Sequence, residues 1–319
     1  MSTMEPILDQ LLNSSEPSVR FKAQVNVLGK DAASPEVRQL QQEIKTSPRV
    51  QALLSERDSG GKLPYHPYSK WLGAHWVLAC LADIGYPAGD ESLMPLRQQV
   101  QDWLLSEAHL KSIKTLNGRV RRCGSQEGNA IYSMFTLGLA DDHTAELADC
   151  LLRWQWPDGG WNCDKNPSAS HSSFMETLIP IRGLNLYGRA TGSQQVHTVV
   201  ERAAEVFLKR NLYQRQQDNT TISPEFTRLH YPCYWHYDIL FGLKVMAEAG
   251  FIDDRRCQLA LDLLASRRLT GGGFAADAKF YHLTQRKISG RSLVTWDSTR
   301  KGSLNEFVTA DALFVLRFR

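Results

Sequence analysis

The stretch "LLRWQWPDGGW" (151–161) joins two helical patterns and recurs in altered form at two other places in the chain. The related stretches are "LLSERDSGGK" (53–62) and "LLASRRLTGGGF" (263–274). Each consists of a double leucine, five or six further residues and then paired glycines. Glycine readily adopts the left-handed conformation that ends a helix. The recurrence therefore indicates that one helical unit is used several times along the chain.

Two kinds of helical pattern alternate along the sequence, and strand patterns are nearly absent. The first kind is apolar on almost every side and covers 71–85, 128–140, 173–188, 237–250 and 305–318, with 18–29 as a weaker sixth member. The second kind is amphipathic and covers 35–54, 92–108, 144–155, 195–210 and 254–267, and the N-terminal "EPILDQLL" could complete the set. A helix that is apolar all round has to be buried, whereas a helix with a charged face lies outside. The alternation predicts inner and outer helices.

Repetition of a two-helix unit over the whole chain predicts an all-α fold, an (α/α)6 toroid in which six inner and six outer helices form a double ring. The toroid would be a single domain covering 1–319. An open solenoid is the alternative, but it would leave one face of each inner helix in contact with water. Pro180 lies inside 173–188, and it predicts a kink or an end in that helix.

The overall composition is that of an ordinary globular protein, with 319 residues, 42% hydrophobic and 22% charged. A net charge of +3 is too small to indicate nucleic-acid binding. The sequence has no apolar run of the length that a membrane span needs. The N-terminus lacks a basic and apolar leader, and the six cysteines have no paired spacing, which together predict a cytoplasmic protein with reduced thiols. The oligomeric state is left open.

The segment "QWPDGGW" (155–161) resembles the QW-type motif, Gln-x-x-x-Gly-x-Trp, of squalene and other terpenoid cyclases. "GGGF" (271–274) resembles the matching turn in the β subunits of protein prenyltransferases. In those families the glutamine caps a neighbouring helix and the tryptophan packs against it. The resemblance thus implies an α/α toroid with Trp161 buried, and Phe274 buried in the same way. The protonating Asp-x-Asp-Asp motif of bacterial-type squalene cyclases does not occur in this chain.

The expected site lies where the inner helices begin, because in such an array their N-terminal ends open at one end of the barrel. Polar and aromatic residues recur at these positions. Histidine, tryptophan and tyrosine are poor helix caps, so capping does not explain them. A pocket lined by aromatic side chains and a few polar groups is typical of small-molecule sites. The predicted substrate-binding residues are Trp71, His75, Arg122, Gln126, Tyr234, Trp235 and Glu306, and the predicted catalytic residues are Glu127, His171, His236 and Asp238.

Helix N-termini carry partial positive charge, and Arg119, Arg121 and Arg122 precede one of them. A phosphate, diphosphate or carboxylate would be stabilised there. The alternative is an ordinary basic loop in contact with solvent.

A metal site is a further hypothesis, because histidine, cysteine and aspartate are zinc ligands. His171, His236 and Cys163 lie near the starts of two adjacent inner helices, which pack roughly 8–10 Å apart. Protein prenyltransferases bind zinc through an aspartate and a cysteine before one inner helix and a histidine at a later one. Here "ASHS" (169–172) stands where Asp-x-Cys is expected, so those ligands are not carried over. Zinc is the cofactor that these residues would bind. The alternatives are a proton-shuttling pair without metal, or residues that orient other side chains of the site.

The family resemblance implies an enzyme-like protein, of transferase, lyase or cyclase type, that acts on a mostly apolar or anionic small molecule such as an isoprenoid. The chemistry would be acid/base or metal-assisted, and aromatic walls would steady a carbocation. A carbohydrate-active lyase or hydrolase on the same toroid is one alternative, and a non-catalytic binding scaffold is another. A long apolar cavity would favour the enzyme that acts on an apolar or anionic small molecule. An open polar groove would favour the carbohydrate-active enzyme.

Overall fold

The computed structural model describes residues 5–286 and 288–319. It confirms the all-α class, because 52% of the chain is helical and only 5% is in strands. Within the described residues, no helix combines the length and the apolar character that crossing a bilayer requires.

Fourteen α-helices follow one another along the described chain. In order they are α1 (Glu5–Leu12), α2 (Pro17–Phe21), α3 (Pro35–Thr46), α4 (Pro48–Leu54), α5 (Ala74–Asp83), α6 (Met94–Leu104), α7 (Glu107–Ser112), α8 (Gly124–Thr136), α9 (Asp142–Trp154), α10 (Phe174–Thr191), α11 (Gln194–Leu208), α12 (Ile239–Glu248), α13 (Gln258–Ser266) and α14 (Glu306–Leu316). A π-helical segment, Lys22–Val27, continues α2. Two short strand pairs complete the regular structure: β1 (Lys114–Leu116) is antiparallel to β2 (Arg119–Arg121), and β3 (His282–Leu283) is parallel to β4 (Arg291–Ser292).

The apolar patterns correspond to α5, α8, α10, α12 and α14, and nearly every residue of these helices is buried except toward the end of α10. Each of the five packs against the next, and α14 packs against the π-helical segment. The helix α8 starts at Gly124, four residues before its apolar run. The polar residues of this first turn are buried as well.

Two of the amphipathic patterns are each divided into two helices. Ser47 ends α3 and caps α4 by accepting a hydrogen bond from the amide of Val50, and Pro48 occupies the first position of α4. Proline is favoured there because the first helical position has no intrahelical partner for an N–H group. In the same way Ser106 caps α7 just after α6 ends. The outer helices are therefore shorter than the sequence pattern predicts.

Of the two outcomes predicted for Pro180, a kink or an end, the end is wrong, since α10 continues from Phe174 to Thr191. Proline donates no hydrogen bond, so the carbonyl of Glu176 lacks its intrahelical donor. The helix crosses α8 at very short range: a Cβ atom on Gly128 would lie 2.6 Å from the nitrogen of Pro180. A Cβ atom on Gly183 would lie 2.4 Å from the carbonyl oxygen of Gly128. Only glycine permits this approach of the two backbones.

The three glycine turns of the sequence repeat have the same backbone hydrogen bond. In each of them an amide donates to the carbonyl four residues later at 2.8 Å, the pairs being Asp58–Lys62, Trp156–Gly160 and Leu269–Gly273. Each turn also places a glycine at positive φ, namely Gly61, Gly159 and Gly272. The repeat detected in the sequence is therefore a repeat of structure.

The burial expected for the two turn aromatics is confirmed, since Trp161 is 1% and Phe274 is 0% exposed. The indole Nε1 of Trp161 donates to the carbonyl of Leu151 in the preceding outer helix at 3.0 Å. Gln155 departs from the implied role. Its side-chain amide donates to the carbonyl of Val199, which lies within α11 and not at the end of that helix. The glutamine thus links the end of α9 to the middle of α11 and does not cap α11.

Candidate functional site

The aromatic residues expected to line a pocket form a packed cluster at the start of α5. Trp71, His75 and Tyr234 are all buried, and Tyr234 stacks on Trp76. The Nε2 atom of His75 lies 2.7 Å from the carbonyl oxygen of Gln126, and its Nδ1 atom contacts the hydroxyl of Tyr234. Because a carbonyl only accepts, Nε2 carries the proton and Nδ1 accepts from the tyrosine. Burial lowers the pKa of His75 to about 4, so the ring is neutral.

A second aromatic stack surrounds His236. Its ring lies between those of Trp235 and Phe280, with ring centroids 4.1 and 3.7 Å away. Burial lowers the pKa of His236 to about 3. The ring of His230 is close to that of His236, with ring centroids 5.9 Å apart. The ring of His236 is therefore neutral and packed among aromatic side chains.

Asp238, predicted to be catalytic, caps α12. Its Oδ1 atom accepts from the amide of Phe241 at 2.8 Å, and its Oδ2 atom lies 2.6 Å from Nδ1 of His230. Both carboxylate oxygens are thus engaged in holding the start of the helix and the neighbouring imidazole. His230, which is not among the predicted site residues, is thus the side-chain partner of Asp238.

His171 is exposed, on the connector between Trp161 and α10. Its carbonyl accepts from the side-chain amide of Asn162 at 2.8 Å. The adjacent Ser172 donates through its hydroxyl to Asp158 at 2.6 Å, which fixes this connector to the glycine turn. The contacts of His171 are therefore those of a surface connector. No contact in the described structure supports a proton-shuttling pair or a shared metal between His171 and His236.

Two of the three basic residues expected to bind an anion, Arg121 and Arg122, have internal hydrogen-bond partners. The third, Arg119, lies over the ring of Trp156. Arg122 donates through Nε to Oε1 of Glu127 at 2.8 Å, and both side chains are buried. Burial raises the pKa of Glu127, and the nearby guanidinium of Arg122 opposes this rise. Arg121 is also buried and donates to the carbonyl of Ala169 at 3.0 Å. These guanidinium groups stabilise the fold locally and do not form an open anion site.

Glu306, the remaining predicted substrate-binding residue, accepts a hydrogen bond from the hydroxyl of Ser14 at 2.7 Å. Burial raises the pKa of Glu306. The contact joins the first turn of α14 to the segment between α1 and α2 and lies apart from the aromatic cluster described above.

Three potential metal ligands converge near the starts of α8 and α10. One ligand atom each from Cys123, Cys163 and Glu176 lies within 4.8 Å of the other two. In the part of the chain that the structure describes, no other group of three such side chains comes this close, so His171 and His236 do not join Cys163. The closeness of the two thiols lowers the pKa of Cys163 and raises that of Cys123. Sequence reasoning missed Cys123 and Glu176, although both flank helix starts.

A network of buried charges, also missed at the sequence level, lies among the inner helices. The Nζ atom of Lys22 is 2.9 Å from Asp83 and 3.0 Å from Asp311. The Nζ atom of Lys244 is likewise 2.9 Å from Asp83 and 3.0 Å from Asp311. Two ammonium groups and two carboxylates thus alternate around a four-membered ring of ion pairs. Burial alone would raise the pKa of Asp83, but the surrounding cations hold it well below its ordinary value.

Arg182 extends the network toward solvent. Its guanidinium binds Glu248 through two hydrogen bonds, at 2.6 and 2.8 Å, and Asp83 through a third at 3.1 Å. Such two-point pairing is stronger and more directional than a single ion pair. The sequence carried a signal for this network, because five of the apolar segments each contain a charged residue that burial would leave unpaired. These residues are Lys22, Asp83, Arg182, Lys244 and Asp311.

A cavity of about 740 Å³ adjoins this network where α5, α8 and α12 end. Asp83, Arg182, Lys244 and Glu248 line its charged floor, and Phe21 and Val25 are among its apolar wall residues. The exposed fraction of the side chain is 25% for Glu248 and 17% for Asp83, against 8% for Arg182 and 2% for Lys244. On the floor itself the carboxylates are therefore more exposed than the cations, and the exposed Arg38 lines another part of the cavity wall.

A smaller space lies next to this cavity, on the side toward the aromatic cluster. The two share Asp83, Tyr132 and Arg182 in their walls. Tyr234 and Cys233 line the smaller space on its far side. Tyr234, a predicted substrate-binding residue, thus lines a space that shares part of its wall with the larger cavity.

No protein-family model matches this chain, and no curated protein matches it.

Proposed function

We propose that the inner helices close into a ring, which makes the protein an (α/α)6 toroid with the ion network on its axis. Successive packing from α5 to α14, and of α14 against the π-helical segment, supports this arrangement. The ion pair of Lys22 with Asp83 would link the first inner segment to the second. The likeness of 155–161 to the QW-type motif of terpenoid cyclases and protein prenyltransferases agrees with it.

Within this toroid, the proposed function is binding of a small organic cation, an amine or a guanidinium compound, in the 740 Å³ cavity. The observation that carries the proposal is the greater exposure of Glu248 and Asp83 than of Arg182 and Lys244 on the cavity floor. A ligand cation can approach these carboxylates without displacing their existing partners, since a carboxylate accepts several hydrogen bonds. The volume lies within the usual range for small-molecule sites, about 300–1,000 Å³.

The apolar wall defines the rest of the ligand. Phe21 and Val25 lie on one side, and Gln41 and Gln42 offer hydrogen bonds from another part of the lining. A ligand with a short hydrocarbon body between a cationic head and a polar end would match these surfaces. The charged floor disfavours a long isoprenoid chain, since apolar groups gain nothing from contact with hydrated ions.

Binding is better supported than catalysis in this cavity. Each charged group on the floor already has an ion-pair partner at 3.1 Å or less. A general acid or base needs a transferable proton near the working pH, whereas the cations hold the pKa of Asp83 well below its ordinary value. The proposal is therefore closest to a binding protein, with the toroid as its scaffold.

The test is isothermal titration calorimetry and thermal melting with matched ligands: putrescine, spermidine and agmatine against 1,4-butanediol, glutarate and diphosphate. The amines should bind and raise the melting temperature. Glu248→Gln should weaken binding about tenfold, which corresponds to ~1.4 kcal/mol. The control is Glu201→Gln, a change at an exposed position of α11, which should bind as the wild type does. Selective binding of the anions, or an unchanged affinity in a folded Glu248→Gln variant, would contradict the proposal.

A further inference from the structure

We infer that Cys123, Cys163 and Glu176 form a binding site for a zinc ion, with one coordination position left for an exchangeable ligand. Cys123 immediately precedes α8, Cys163 follows the glycine turn that ends at Trp161, and Glu176 lies in the first turn of α10. Cys123 and Thr136 stand at opposite ends of α8, about 20 Å apart at a rise of ~1.5 Å per residue. The site is therefore separate from the cavity that Thr136 lines, and the inference does not rest on the proposed cation binding.

The separation of Cys163 and Glu176 is that of two ligands on one zinc ion, and Cys123 lies close to both. The Sγ atom of Cys163 lies 3.6 Å from Oε1 of Glu176, and one ligand atom of each of the three residues lies within 4.8 Å of the other two. Tetrahedral zinc has Zn–S distances of about 2.3 Å and Zn–O distances of about 2.0 Å, which places bound sulfur and oxygen atoms about 3.5 Å apart. The separation of the thiol and the carboxylate is thus already that of two ligands on one ion.

The carboxylate is held in the orientation that such a site requires. Its other oxygen, Oε2, accepts hydrogen bonds from both the amide and the hydroxyl of Ser125, at 3.1 and 2.7 Å. This leaves Oε1 directed toward Cys163. Hydrogen bonds to the distal atom of a ligand are a general feature of protein metal sites, because they fix its rotamer before the metal arrives.

The ligand types select the ion. Two thiolates and a carboxylate suit zinc, whereas magnesium and calcium prefer sites made only of oxygen. Three protein ligands are the number found in zinc sites that hold a water molecule or a substrate atom at the fourth position.

A redox disulfide between Cys123 and Cys163 is the competing use of the two thiols. The position of Glu176 favours zinc, because an oriented carboxylate beside Cys163 has no role in a neutral disulfide but supplies the third ligand to a cation. A disulfide bond would consume both thiols, and the carboxylate of Glu176 would lose the thiol of Cys163 as its hydrogen-bond donor.

The experiment uses the full-length, tag-free protein under reducing conditions, mixed with zinc chloride and then freed of unbound metal by gel filtration. Elemental analysis should give one zinc per chain. Cobalt(II) in place of zinc should show the absorption of a tetrahedral ion and thiolate-to-cobalt charge transfer. Cys123→Ser and Cys163→Ser should lose stoichiometric binding, and Ser125→Ala should weaken zinc affinity about 10–100-fold. Cys150→Ser, which changes a buried thiol on α9, is the matched control and should bind as the wild type does.

Several results would overturn the inference. They are stoichiometric zinc in a folded Cys163→Ser variant, an absence of zinc in the reduced wild type, or a Cys123–Cys163 disulfide in mass spectra of a protein whose reduced form binds no zinc. Loss of zinc in His171→Ala together with full retention in Glu176→Gln would also overturn it, in favour of a histidine site. If the serine variants fail to fold, Glu176→Gln and Ser125→Ala decide the matter, because a zinc site requires that both weaken binding.

Discussion

The hydroxyl of Thr177 holds both backbone groups of Trp161: it accepts from the amide at 3.1 Å and donates to the carbonyl at 3.4 Å. Thr309 does the same for Phe274, at 2.9 and 3.2 Å. Both threonines occupy the fourth position of an inner helix, α10 or α14. The glycine turn, its aromatic residue and the next inner helix thus form one unit that the chain uses twice.

Replacing Thr177 with valine should destabilise the protein by about 1–3 kcal/mol, because the buried amide of Trp161 loses its acceptor while the side-chain volume is kept. Denaturant unfolding of Thr177→Val measures this, with Thr309→Val expected to give a similar loss. The control is Thr198→Val on the exposed side of α11. Equal stability of Thr177→Val and Thr198→Val would show that the hydroxyl is not needed.

Trp161→Ala should cost roughly 3–5 kcal/mol, as for other buried aromatic residues that leave a cavity. The indole also loses its hydrogen bond to Leu151. Thermal melting and denaturant unfolding report the change. An unchanged melting temperature would mean that the likeness to a QW-type motif is a coincidence of sequence.

Lys244→Met should destabilise the fold by about 3–5 kcal/mol, since Asp83 and Asp311 would each lose one of their buried cationic partners. The double variant Lys244→Met/Asp311→Leu should lose less than the sum of the two single variants. A double-mutant cycle measures this coupling. As a surface comparison, Arg256→Met breaks partly exposed pairs with Glu205 and Asp254 and should cost about 1 kcal/mol or less. Additive losses in the buried pair would contradict the network.

The fold should lose stability as the pH falls from 6.5 toward 4, in part through His75. Its pKa in the folded protein is about 4, below the ordinary value of 6.5, so the unfolded chain takes up a proton first. The contribution is full above pH 6.5 and amounts to about 3 kcal/mol, lost by pH 4. Denaturant unfolding across this range should show a shallower pH dependence for His75→Gln, while His171→Gln, at an exposed position, should follow the wild type. Parallel profiles for His75→Gln and the wild type would refute this assignment.

The positions of the apolar and amphipathic helices could be predicted because periodicity is a local property of the sequence. Even there, Pro48 and Ser106 divided two outer helices, since a cap or a proline overrides an amphipathic pattern. The glycine turns were found for the same local reason. The backbone approach of Gly128 and Pro180, in contrast, depends on how two helices cross.

The candidate sites could be predicted only in part, because their contacts join distant parts of the chain. The position of His75 at a helix start was predicted, whereas Tyr234 lies in a turn four residues before the cap of α12. That the two side chains contact each other and that Tyr234 stacks on Trp76 was not predicted. Cys163 was chosen as a ligand, but its neighbours are set by how α8 and α10 pack, which brings Glu176 to it in place of His171. A sequence shows that a buried charge needs a partner but not which helix supplies it.

The ring of Lys22, Asp83, Lys244 and Asp311 has a consequence for how the chain folds. Its four charges come from four different segments, so any partly folded state that omits one segment leaves an uncompensated ion in an apolar interior. In an open repeat array, terminal units can detach one at a time because each contacts only its neighbours. Here the loss of any one segment exposes the other three to that cost, which disfavours half-assembled states and leads us to expect concerted unfolding.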